Sequence, residues 1–345
     1  MRRKIILGES AYMVVDVVSF GETMFRLTTA PGVRLEHAGQ LQIYIGGTES
    51  NTLACLSRLN FKTRWLSALP ANPMGRRITS ELSAHGVDTS HVVWAKDDAR
   101  LGIFYVEESA QPIGLQVYYD RANSACALVD PDVVDYTLVD DARMLHLTGI
   151  TPALSERARE VFRRFLDRAR ARQIPLSFDV NYRAKLWSPS EAATHIENAC
   201  RQARILICTR ADAAELWGIT GDAEAVLRQM ARRFTGDQTD KTLVLTLGSA
   251  GSAQLRGDVY SEEPAFPTTG TMRFGSGDAF AAGYLYSYLE GALYQEMREE
   301  RAVTPLAFGN ALASLKRCIA GDIAIIGPDD VKAVLRQDGA GARFR

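Results

Sequence analysis

Short apolar runs rich in β-branched residues alternate along this chain with longer stretches that have the apolar periodicity of helices. The runs span 14–20, 63–69, 144–147, 176–180, 205–208 and 243–247. The helical patterns span 51–59, 76–85, 155–172, 190–201, 211–217 and 223–234. Nearly continuous apolar runs are typical of strands buried on both faces, and helices between such strands form right-handed crossovers. The pattern therefore predicts an α/β fold with a doubly wound, mostly parallel sheet flanked by helices.

Two segments, at about 24–45 and 100–128, break this alternation and are predicted to be extended. Apolar residues alternate with other residues at Phe25, Leu27, Leu41, Ile43 and Ile45 in the first segment, and at Ile103, Tyr105, Val117 and Tyr119 in the second. A small sheet with an apolar open face is unstable by itself. We therefore expect a β-sheet lid that covers the substrate and pairs with another lid in a homo-oligomer, a dimer or larger. The alternative is a surface hairpin without a role.

Composition excludes several classes of protein. The chain has 40 Lys and Arg against 41 Asp and Glu, which gives a formal net charge of −1 and argues against nucleic acid as the main partner. The 46% hydrophobic content is sufficient for a large core. The five cysteines show neither a CxxC nor a metal-ligand spacing, so they are expected to be buried, reduced thiols of a cytoplasmic protein.

No membrane segment is expected. Residues 1–13 begin like a signal peptide, but Glu9 interrupts the apolar stretch, so this part is predicted to be a short N-terminal extension. The longest apolar window, 280–293, is broken by Glu290 and Gly291 and is too short to cross a bilayer.

The segment Arg273-Phe-Gly-Ser-Gly-Asp-Ala-Phe-Ala-Ala-Gly283 predicts a tight turn that leads into a helix. The backbone N–H groups of Gly275, Ser276 and Gly277 are expected to form an anion hole at the positive end of that helix. Asp278 would then lie beside the hole, where a carboxylate can accept a proton from an attacking hydroxyl. The alternative is a glycine-rich loop with an aspartate that only caps the helix.

Three further segments each lie at the end of a predicted strand or before a predicted helix. They are Gly46-Gly-Thr-Glu-Ser-Asn51, Asp179-Val-Asn-Tyr-Arg183 and Thr246-Leu-Gly-Ser-Ala-Gly251. With the glycine turn, they resemble the PfkB (ribokinase-like) carbohydrate kinases in number, order and spacing, from about residue 14 to about 334. Within that family, the segments 118–125, 146–154 and 178–187 are most similar to 2-keto-3-deoxygluconate kinases.

The resemblance implies a single ribokinase-like kinase domain over 14–335 that uses ATP and Mg²⁺, with Asp278 as catalytic base. The implied nucleotide-binding residues are Thr209, Thr246, Gly248, Gly251, Gly275, Gly277 and Asn310. The family commonly has Asn-x-x-Glu for the metal where this chain has Thr209-Arg-Ala-Asp212. Asp212 is the implied metal residue, or else simply a carboxylate in the first turn of a helix.

The resemblance also implies the residues that bind the sugar. They are Gly47, Asn51, Phe104, Tyr118, Arg121, Asn181, Arg183 and Asp278. A guanidinium binds a carboxylate through two hydrogen bonds, so Arg183 is the favoured residue for recognition of an acid. Some relatives have the lid arginine one residue before Arg121, and some have a tyrosine in place of Phe104.

The resemblance implies ATP-dependent phosphorylation of 2-keto-3-deoxy-D-gluconate on its terminal primary hydroxyl, giving 2-keto-3-deoxy-6-phosphogluconate and ADP. One alternative is a PfkB kinase for fructose or another neutral sugar. Another is a sugar or nucleotide sensor on the same scaffold that has lost catalysis, which the altered segment 209–212 favours. A dinucleotide-binding dehydrogenase is disfavoured, because no Gly-x-Gly-x-x-Gly follows the first strand.

Overall fold

The computed structural model describes residues 15–109, 112–236 and 240–336 of the 345-residue chain. The predicted N-terminal extension lies outside the described residues. Among the described residues, no helix has the length and the apolar character needed to cross a membrane.

The strands of the described residues form one large and two small sheets. In chain order they are β1 (Val15–Phe20), β2 (Met24–Thr28), β3 (Gln42–Gly46), β4 (Thr63–Leu66), β5 (Ala68–Pro70), β6 (Val87–Asp88), β7 (Val93–Ala95), β8 (Ile103–Glu108), β9 (Leu115–Asp120), β10 (Ala142–Thr148), β11 (Leu176–Asp179), β12 (Ile205–Thr209), β13 (Thr242–Thr246), β14 (Ser252–Arg256) and β15 (Val259–Glu263). The large sheet has nine strands in the order β15-β14-β13-β12-β11-β10-β1-β4-β6. The seven strands from β6 to β13 are parallel, and β14 and β15 add an antiparallel edge. The predicted doubly wound, mostly parallel sheet is confirmed.

Helices cover both faces of this sheet. They are α1 (Thr48–Arg58), α2 (Pro73–Ala84), α3 (Glu156–Ala171), α4 (Pro189–Gln202), α5 (Arg210–Trp217), α6 (Ala223–Phe234), α7 (Ser276–Tyr288), α8 (Ala292–Arg301), α9 (Pro305–Lys316) and α10 (Pro328–Leu335). Successive strand residues point to opposite faces. Accordingly, Val17 and Met144 belong to the core formed with α1, α7 and α9, whereas Val18 and Leu145 pack with α3, α4 and α6. This burial on both faces explains why the strands read as continuous apolar runs.

The predicted strand at 63–69 is in fact two strands. β4 belongs to the large sheet, whereas β5 leaves it after Ser67 and pairs with β7. Four of the five cysteines are buried, as predicted. The exception is Cys318, whose side chain is exposed. His146 on β10 is buried beside the Ser177 hydroxyl, and burial lowers its pKa to about 4, as suits a core histidine.

The two extended segments form a separate four-stranded sheet, called the lid here, in the order β3-β2-β8-β9. Its central pair, β2 and β8, is parallel, and the outer pairs are antiparallel. Phe104 pairs with Tyr119 on the inner face, whereas Tyr105 pairs with Tyr118 on the outer face. Ile43, also on the outer face, is 41% exposed. The predicted lid is therefore a sheet with one covered and one open apolar face.

Candidate active site

A cavity of about 330 Å³ lies between the inner face of the lid and the carboxyl ends of the parallel strands. Open α/β sheets bind ligands at this edge, because the loops that follow neighbouring strands converge there. Side chains that end or follow β1, β10, β11, β12 and β13 line it, namely Glu22, Ile150, Asp179, Asn181, Arg183, Thr209 and Thr246. The lid contributes Met24, Phe104 and Tyr119.

The N-terminus of α7 forms one wall of this cavity. Gly275 is the N-cap residue, with a left-handed φ of 75°. A Cβ atom at Gly275 would overlap the carbonyl oxygen of Asp322, so both conformation and space require glycine. Gly277 also lines the cavity, and nothing lies within 4 Å of the position that its Cβ would take. The Ser276 hydroxyl donates to the carbonyl oxygen of Arg273 at 2.9 Å, so the serine fits a hole made by the backbone.

Asp278 lies in the first turn of α7 and points its carboxylate at α1. Its two oxygens accept hydrogen bonds from the Thr48 hydroxyl and from the Asn51 amide, the latter at 2.7 Å. Burial raises the pKa of Asp278, while these two hydrogen bonds and the charges of Arg183 and Lys316 oppose the rise. The carboxylate is thus fixed in position and made more basic than an exposed aspartate, as a general base requires.

Gly47 and Asn51 bring α1 against this carboxylate. Gly47 caps α1, and a Cβ atom there would overlap the carbonyl oxygen of Glu22. Asn51 is 4% exposed, and its Oδ1 atom has no hydrogen-bond partner within the described residues. A buried acceptor without a partner is costly, so a hydroxyl donor from a bound ligand would stabilise this group.

Asp179 and Asp212 place two more carboxyl groups near Asp278. Burial first, and then the charges of Asp212 and Asp278, raise the pKa of Asp179 to about 8. Burial also raises the pKa of Asp212, which lies in the first turn of α5 and lines the cavity. Thr209 caps α5, because its hydroxyl accepts from the Asp212 N–H at 2.9 Å. Asp212 is therefore a carboxylate in the first turn of a helix, and its role toward a metal stays a prediction.

These carboxylates suit a hard divalent ion, since Mg²⁺ prefers oxygen ligands. Across the described ranges, no group of three or more His, Cys, Asp and Glu side chains converges on one point as a metal cage. Mg²⁺ bound with nucleotides keeps several waters and needs only one or two carboxylates. The residues present fit an ion that arrives on phosphate oxygens, with Asp212 and Asp179 as the groups that would hold its waters.

Asn181 has a strained backbone at the cavity wall. Its φ is 40°, in the left-handed region that residues other than glycine seldom occupy. Its side-chain amide donates to the Thr48 hydroxyl at 3.0 Å and lies 3.4 Å from Asp179 Oδ2. Such strain persists where surrounding contacts fix it, and it is concentrated at functional sites.

The two predicted arginines differ in their partners. Arg121 is paired with the buried carboxylate of Glu22, to which its Nε donates at 2.9 Å, and Ser124 donates to the same carboxylate. Arg183 donates to the carbonyl oxygen of Tyr182 at 3.2 Å and has no carboxylate within 4 Å in the part of the chain described. Arg183 is therefore the predicted arginine whose charge is available to an anionic ligand, whereas that of Arg121 is already neutralised.

The lid presents Phe104 and Tyr119 to the cavity. Phe104 is buried and packs against Tyr119 and Phe274, with ring centroids 5.8 and 6.1 Å apart. Tyr118 was predicted to bind substrate, but it lies on the outer face and is half exposed. Successive side chains of a strand point to opposite faces of the sheet. Because Tyr119 faces the cavity, its neighbour Tyr118 cannot.

Three of the predicted nucleotide residues, Thr246, Gly248 and Gly251, lie at the end of β13 and in the turn that leads to β14. Thr246 lines the cavity, and Gly248 and Gly251 have positive φ values of 63° and 107°. Asn310 does not line the cavity. Its amide donates to the carbonyl oxygens of Glu263 and Pro264, and its Oδ1 accepts from Ser252. Both amide N–H groups of Asn310 are thus used in joining α9 to the sheet edge.

Sequence reasoning missed three buried acidic residues of the cavity, Glu22, Glu49 and Asp322. Glu49 accepts hydrogen bonds of 2.7 Å from the hydroxyls of Thr148 and Thr151, and burial raises its pKa to about 7. Glu22 follows the first predicted strand, so the same rule that selected Asp179-Val-Asn-Tyr-Arg183 would have found it. Asp322 had no such signal, because it lies in a loop after α9.

A buried carboxylate beside a helix N-terminus, at the strand ends of an α/β sheet, suits an enzyme that activates a hydroxyl group next to a bound phosphate. Residues 15–326 match the model of the pfkB family carbohydrate kinases. The chain belongs to this family, as its sequence predicted.

Two relatives and one solved structure show which members of the family the chain is similar to. The chain is 39% identical to a 2-dehydro-3-deoxygalactonokinase of Haloferax volcanii, over 95% of this chain and 99% of the relative. It is 28% identical to a 2-dehydro-3-deoxygluconokinase of Bacillus subtilis, over 90% and 92%. The crystal structure of a 2-dehydro-3-deoxygluconokinase from Thermotoga maritima superimposes with a TM-score of 0.83 at 25% identity, over 94% and 98% of the two chains.

Proposed function

We propose that this kinase transfers the terminal phosphoryl group of ATP to the primary hydroxyl of a 2-keto-3-deoxy sugar acid. The observation that carries the proposal is Arg183, a guanidinium on the cavity wall without a carboxylate partner within 4 Å among the described residues. A neutral sugar does not need such a charge, whereas the carboxylate and keto oxygens of a sugar acid can accept both of its parallel hydrogen bonds.

Our choice of epimer is supported by a relative and not by a feature of the cavity. The sequence led us to expect the gluconate-derived acid, but the relative at 39% identity bears the name of the galactonate-derived one. We therefore take 2-keto-3-deoxygalactonate as the first candidate and 2-keto-3-deoxygluconate as the second. The product is the corresponding 6-phosphate, with ADP.

In the proposed mechanism, Asp278 removes the proton of the attacking hydroxyl. Thr48 and Asn51 hold its carboxylate toward the cavity. The backbone N–H groups at Gly275 and Gly277 stabilise the charge that develops on the transferred phosphoryl group. The N–H of Ser276, predicted to join them, donates to the carbonyl oxygen of Arg273 over a long 3.4 Å. Bound Mg²⁺ would neutralise the ATP phosphates, with its waters held by Asp212 and Asp179.

The lid supports a further proposal, that two copies of the chain associate through its outer face. That face carries Ile43 and Tyr118, which are 41% and 50% exposed, beside the partly buried Leu27 and Tyr105. A contiguous apolar face on a small sheet is stabilised when a second sheet covers it. Since the inner face closes the cavity, association would also hold the lid over the sugar.

Two other functions are alternatives that the experiment below can distinguish. A kinase for fructose or another neutral sugar would share every feature except the use of Arg183. A sensor without catalysis would need no positioned base, and the two hydrogen bonds that fix Asp278 argue against it.

The deciding experiment is a coupled ADP-release assay over both keto-deoxy sugar acids, fructose and ribose, on wild type, Arg183→Leu and Arg183→Lys. Loss of a charge-assisted contact worth about 1.5–3 kcal/mol should lower kcat/KM for the acid at least about tenfold in Arg183→Leu. Lysine should restore part of the loss, because it keeps the charge but not the planar fork. Arg232→Leu, an exposed arginine on α6, is the matched control.

The substrate comparison separates the possible roles of Arg183. Its charge also acts on Asp179, Asp212 and Asp278, so an equal loss on acid and neutral sugars would assign it to the phosphate site. A wild type that prefers fructose would overturn the substrate class. A wild type that releases no ADP with any sugar would favour the sensor.

A further inference from the structure

Lys316, the last residue of α9, is a fully buried lysine for which the mechanism so far has no use. Its side chain is 0% exposed. Its ammonium donates to the carbonyl oxygens of Ile319 and Gly321, both at 2.9 Å. A buried ammonium is costly unless its environment compensates the charge, and an apolar side chain of similar length would fill the same space without that cost.

The position of Lys316 links it to the anion hole. A Cβ atom at Gly275 would lie 3.2 Å from Lys316 Cε and would overlap the carbonyl oxygen of Asp322. Asp322 directly follows Gly321, whose carbonyl oxygen the ammonium binds. The lysine therefore packs directly behind the N-cap of α7, and it holds the loop that presses on that N-cap.

The charges around Lys316 come from three parts of the fold. Asp322 and Asp278 act on it as anions, and Arg26 of the lid acts as a cation. Arg26 is itself bound to Asp322, to which its Nη1 donates at 2.8 Å. Burial lowers the pKa of Lys316, and the two carboxylates oppose this shift. Since Arg26 shares the charge of Asp322, part of the positive potential of Lys316 remains for the hole in front of it.

In the free protein the charge of this cation is compensated only in part, because Asp322 is shared with Arg26. The N-terminus of a helix carries partial positive charge, so a second positive charge behind it repels the helix dipole. The repulsion becomes attraction when a phosphoryl group with its negative oxygens enters the hole. The arrangement thus stabilises the phosphate-bound and transition states more than the free enzyme.

We propose that Lys316 is a positioning residue whose ammonium acts as a built-in monovalent cation behind the anion hole. It binds backbone carbonyl oxygens as a monovalent metal ion would, fixes the loop against Gly275 and adds positive potential at the transferred phosphoryl group. The proposal depends on phosphoryl transfer, which the family defines, and not on which sugar the enzyme takes.

The test compares Lys316→Met and Lys316→Ala with Lys241→Met. Lys241 is the matched control because it is 2% exposed and its ammonium also binds two carbonyl oxygens, those of Cys200 and Arg201. It precedes β13, at the end of that strand opposite to Thr246 and the cavity. Rates are measured on the sugar that gives the highest wild-type turnover, at constant ionic strength with tetramethylammonium, Na⁺, K⁺ or NH₄⁺ as the cation.

Wild type and Lys241→Met should have the same kcat in all four salts. Lys316→Met should lose at least roughly tenfold in kcat while KM for the sugar stays within about twofold, since the charge acts mainly on the transition state. Lys316→Ala leaves room for an ion. Its kcat should therefore rise severalfold in K⁺ or NH₄⁺ over tetramethylammonium, and its Tm should rise with the same ions.

Several results overturn the proposal. They are a wild-type kcat in Lys316→Met, a Lys316→Ala enzyme whose kcat responds to none of the small cations, and an equal loss of kcat in Lys241→Met. If Lys316→Ala does not fold, Lys316→Arg decides instead. Retention of kcat by arginine but not by methionine supports a role of the charge, and equal loss in both rejects it.

Discussion

At the scale of single residues, the cavity is distinguished by carboxyl groups that are buried yet hydrogen-bonded. Burial raises the pKa of Asp278, Asp179, Glu49 and Asp322, the last to about 6. Raised pKa values are common where burial and like charges are arranged around reacting groups. In this chain the hydrogen-bond partners differ from one carboxyl to the next, so each can be tested separately.

Replacement of Asp278 by asparagine should abolish general base catalysis and leave the fold intact. The amide keeps the shape of the side chain but cannot accept the proton, so kcat should fall about 10²- to 10⁴-fold. Nucleotide affinity should change little. Steady-state kinetics and nucleotide titration of the variant measure both, and turnover close to wild type would assign the base elsewhere.

Because its pKa is raised, Asp278 should also set the acid limb of the rate profile. The carboxylate is the active form, so kcat/KM should fall as the pH drops through its pKa, at a higher pH than for an exposed aspartate. The same measurement on Asp278→Asn should lack that limb. An identical limb in both proteins would attribute it to another group.

Glu49 should make the stability of the protein depend on pH. Its pKa rises from 4.5 to about 7 on folding, so its contribution to the free energy of unfolding is complete below pH 4.5 and is lost as the pH rises through 7. One pKa unit corresponds to about 1.4 kcal/mol, so the loss is at most about 3.5 kcal/mol. Urea unfolding from pH 4.5 to 8 measures this slope.

Glu49→Gln is the matched variant for that measurement, because its side-chain carbonyl can still accept from Thr148 and Thr151. The free energy of unfolding should decrease less between pH 4.5 and 7 in the variant than in the wild type. An unchanged slope would mean that other groups dominate the titration.

At this scale, the sequence predicted site residues well where they directly follow a strand. It predicted them poorly where their role depends on a contact with a side chain far away in the sequence. The rule that parallel strands converge at one edge brought Arg183 and Thr246 to one cavity, whereas Asp278 was found from the glycine turn that begins a helix. It could not show that Glu22 neutralises Arg121, because the two residues are 99 positions apart. Nor could it show that Tyr118 points outward, since that depends on the face its strand presents.

At the scale of elements, the lid is a sheet whose two faces have different surroundings. Its inner face lines the cavity, and its outer face is the proposed contact with a second copy. The extended segments and their alternation were visible in the sequence, since period two is the signal of a half-buried strand. The parallel pairing of β2 with β8 was not, because register between distant segments depends on their packing against the core.

A charge on the outer face should separate the copies. Ile43→Asp should raise the dissociation constant of the oligomer at least about tenfold, because an unpaired carboxylate in an apolar interface costs more than about 1.4 kcal/mol. KM for the sugar should rise with it. Light scattering and steady-state kinetics measure the two effects.

Val259→Asp is the control for this variant, since Val259 is 72% exposed on β15, away from the lid. It should change neither quantity. An oligomer and a KM that are both unchanged in Ile43→Asp would reject the coupling, and so would a wild type that is monomeric at all concentrations.

At the scale of the whole molecule, Arg26 joins the lid to the core. It is 1% exposed, and its guanidinium binds Asp322 at 2.8 Å and Glu108 at 3.0 Å. The guanidinium carbon also lies 4.2 Å from the centre of the Phe274 ring, next to the anion hole. This joint could not be predicted from the sequence, because it depends on two residues that are 296 positions apart.

Removal of this joint should be costly. Arg26→Met leaves two largely buried carboxylates without their partner, which typically costs about 3–5 kcal/mol in the free energy of unfolding. Arg163→Met removes an arginine that is also bound to two carboxylates but is 56% exposed, and should cost much less, because exposed ion pairs contribute little to stability. Urea denaturation of both variants tests the contrast, and equal costs would contradict it.

The span of the joint between Arg26 and Asp322 also bears on how the protein is made. The lid strands leave the ribosome early, but their buried arginine has no aspartate to bind until the segment carrying Asp322 has been translated. Domains generally fold during synthesis as their segments emerge, and contacts between distant segments form late. A nascent chain stalled before Asp322 should therefore hold a folded sheet with an undocked lid, and release of the full chain should be the step that makes the enzyme competent.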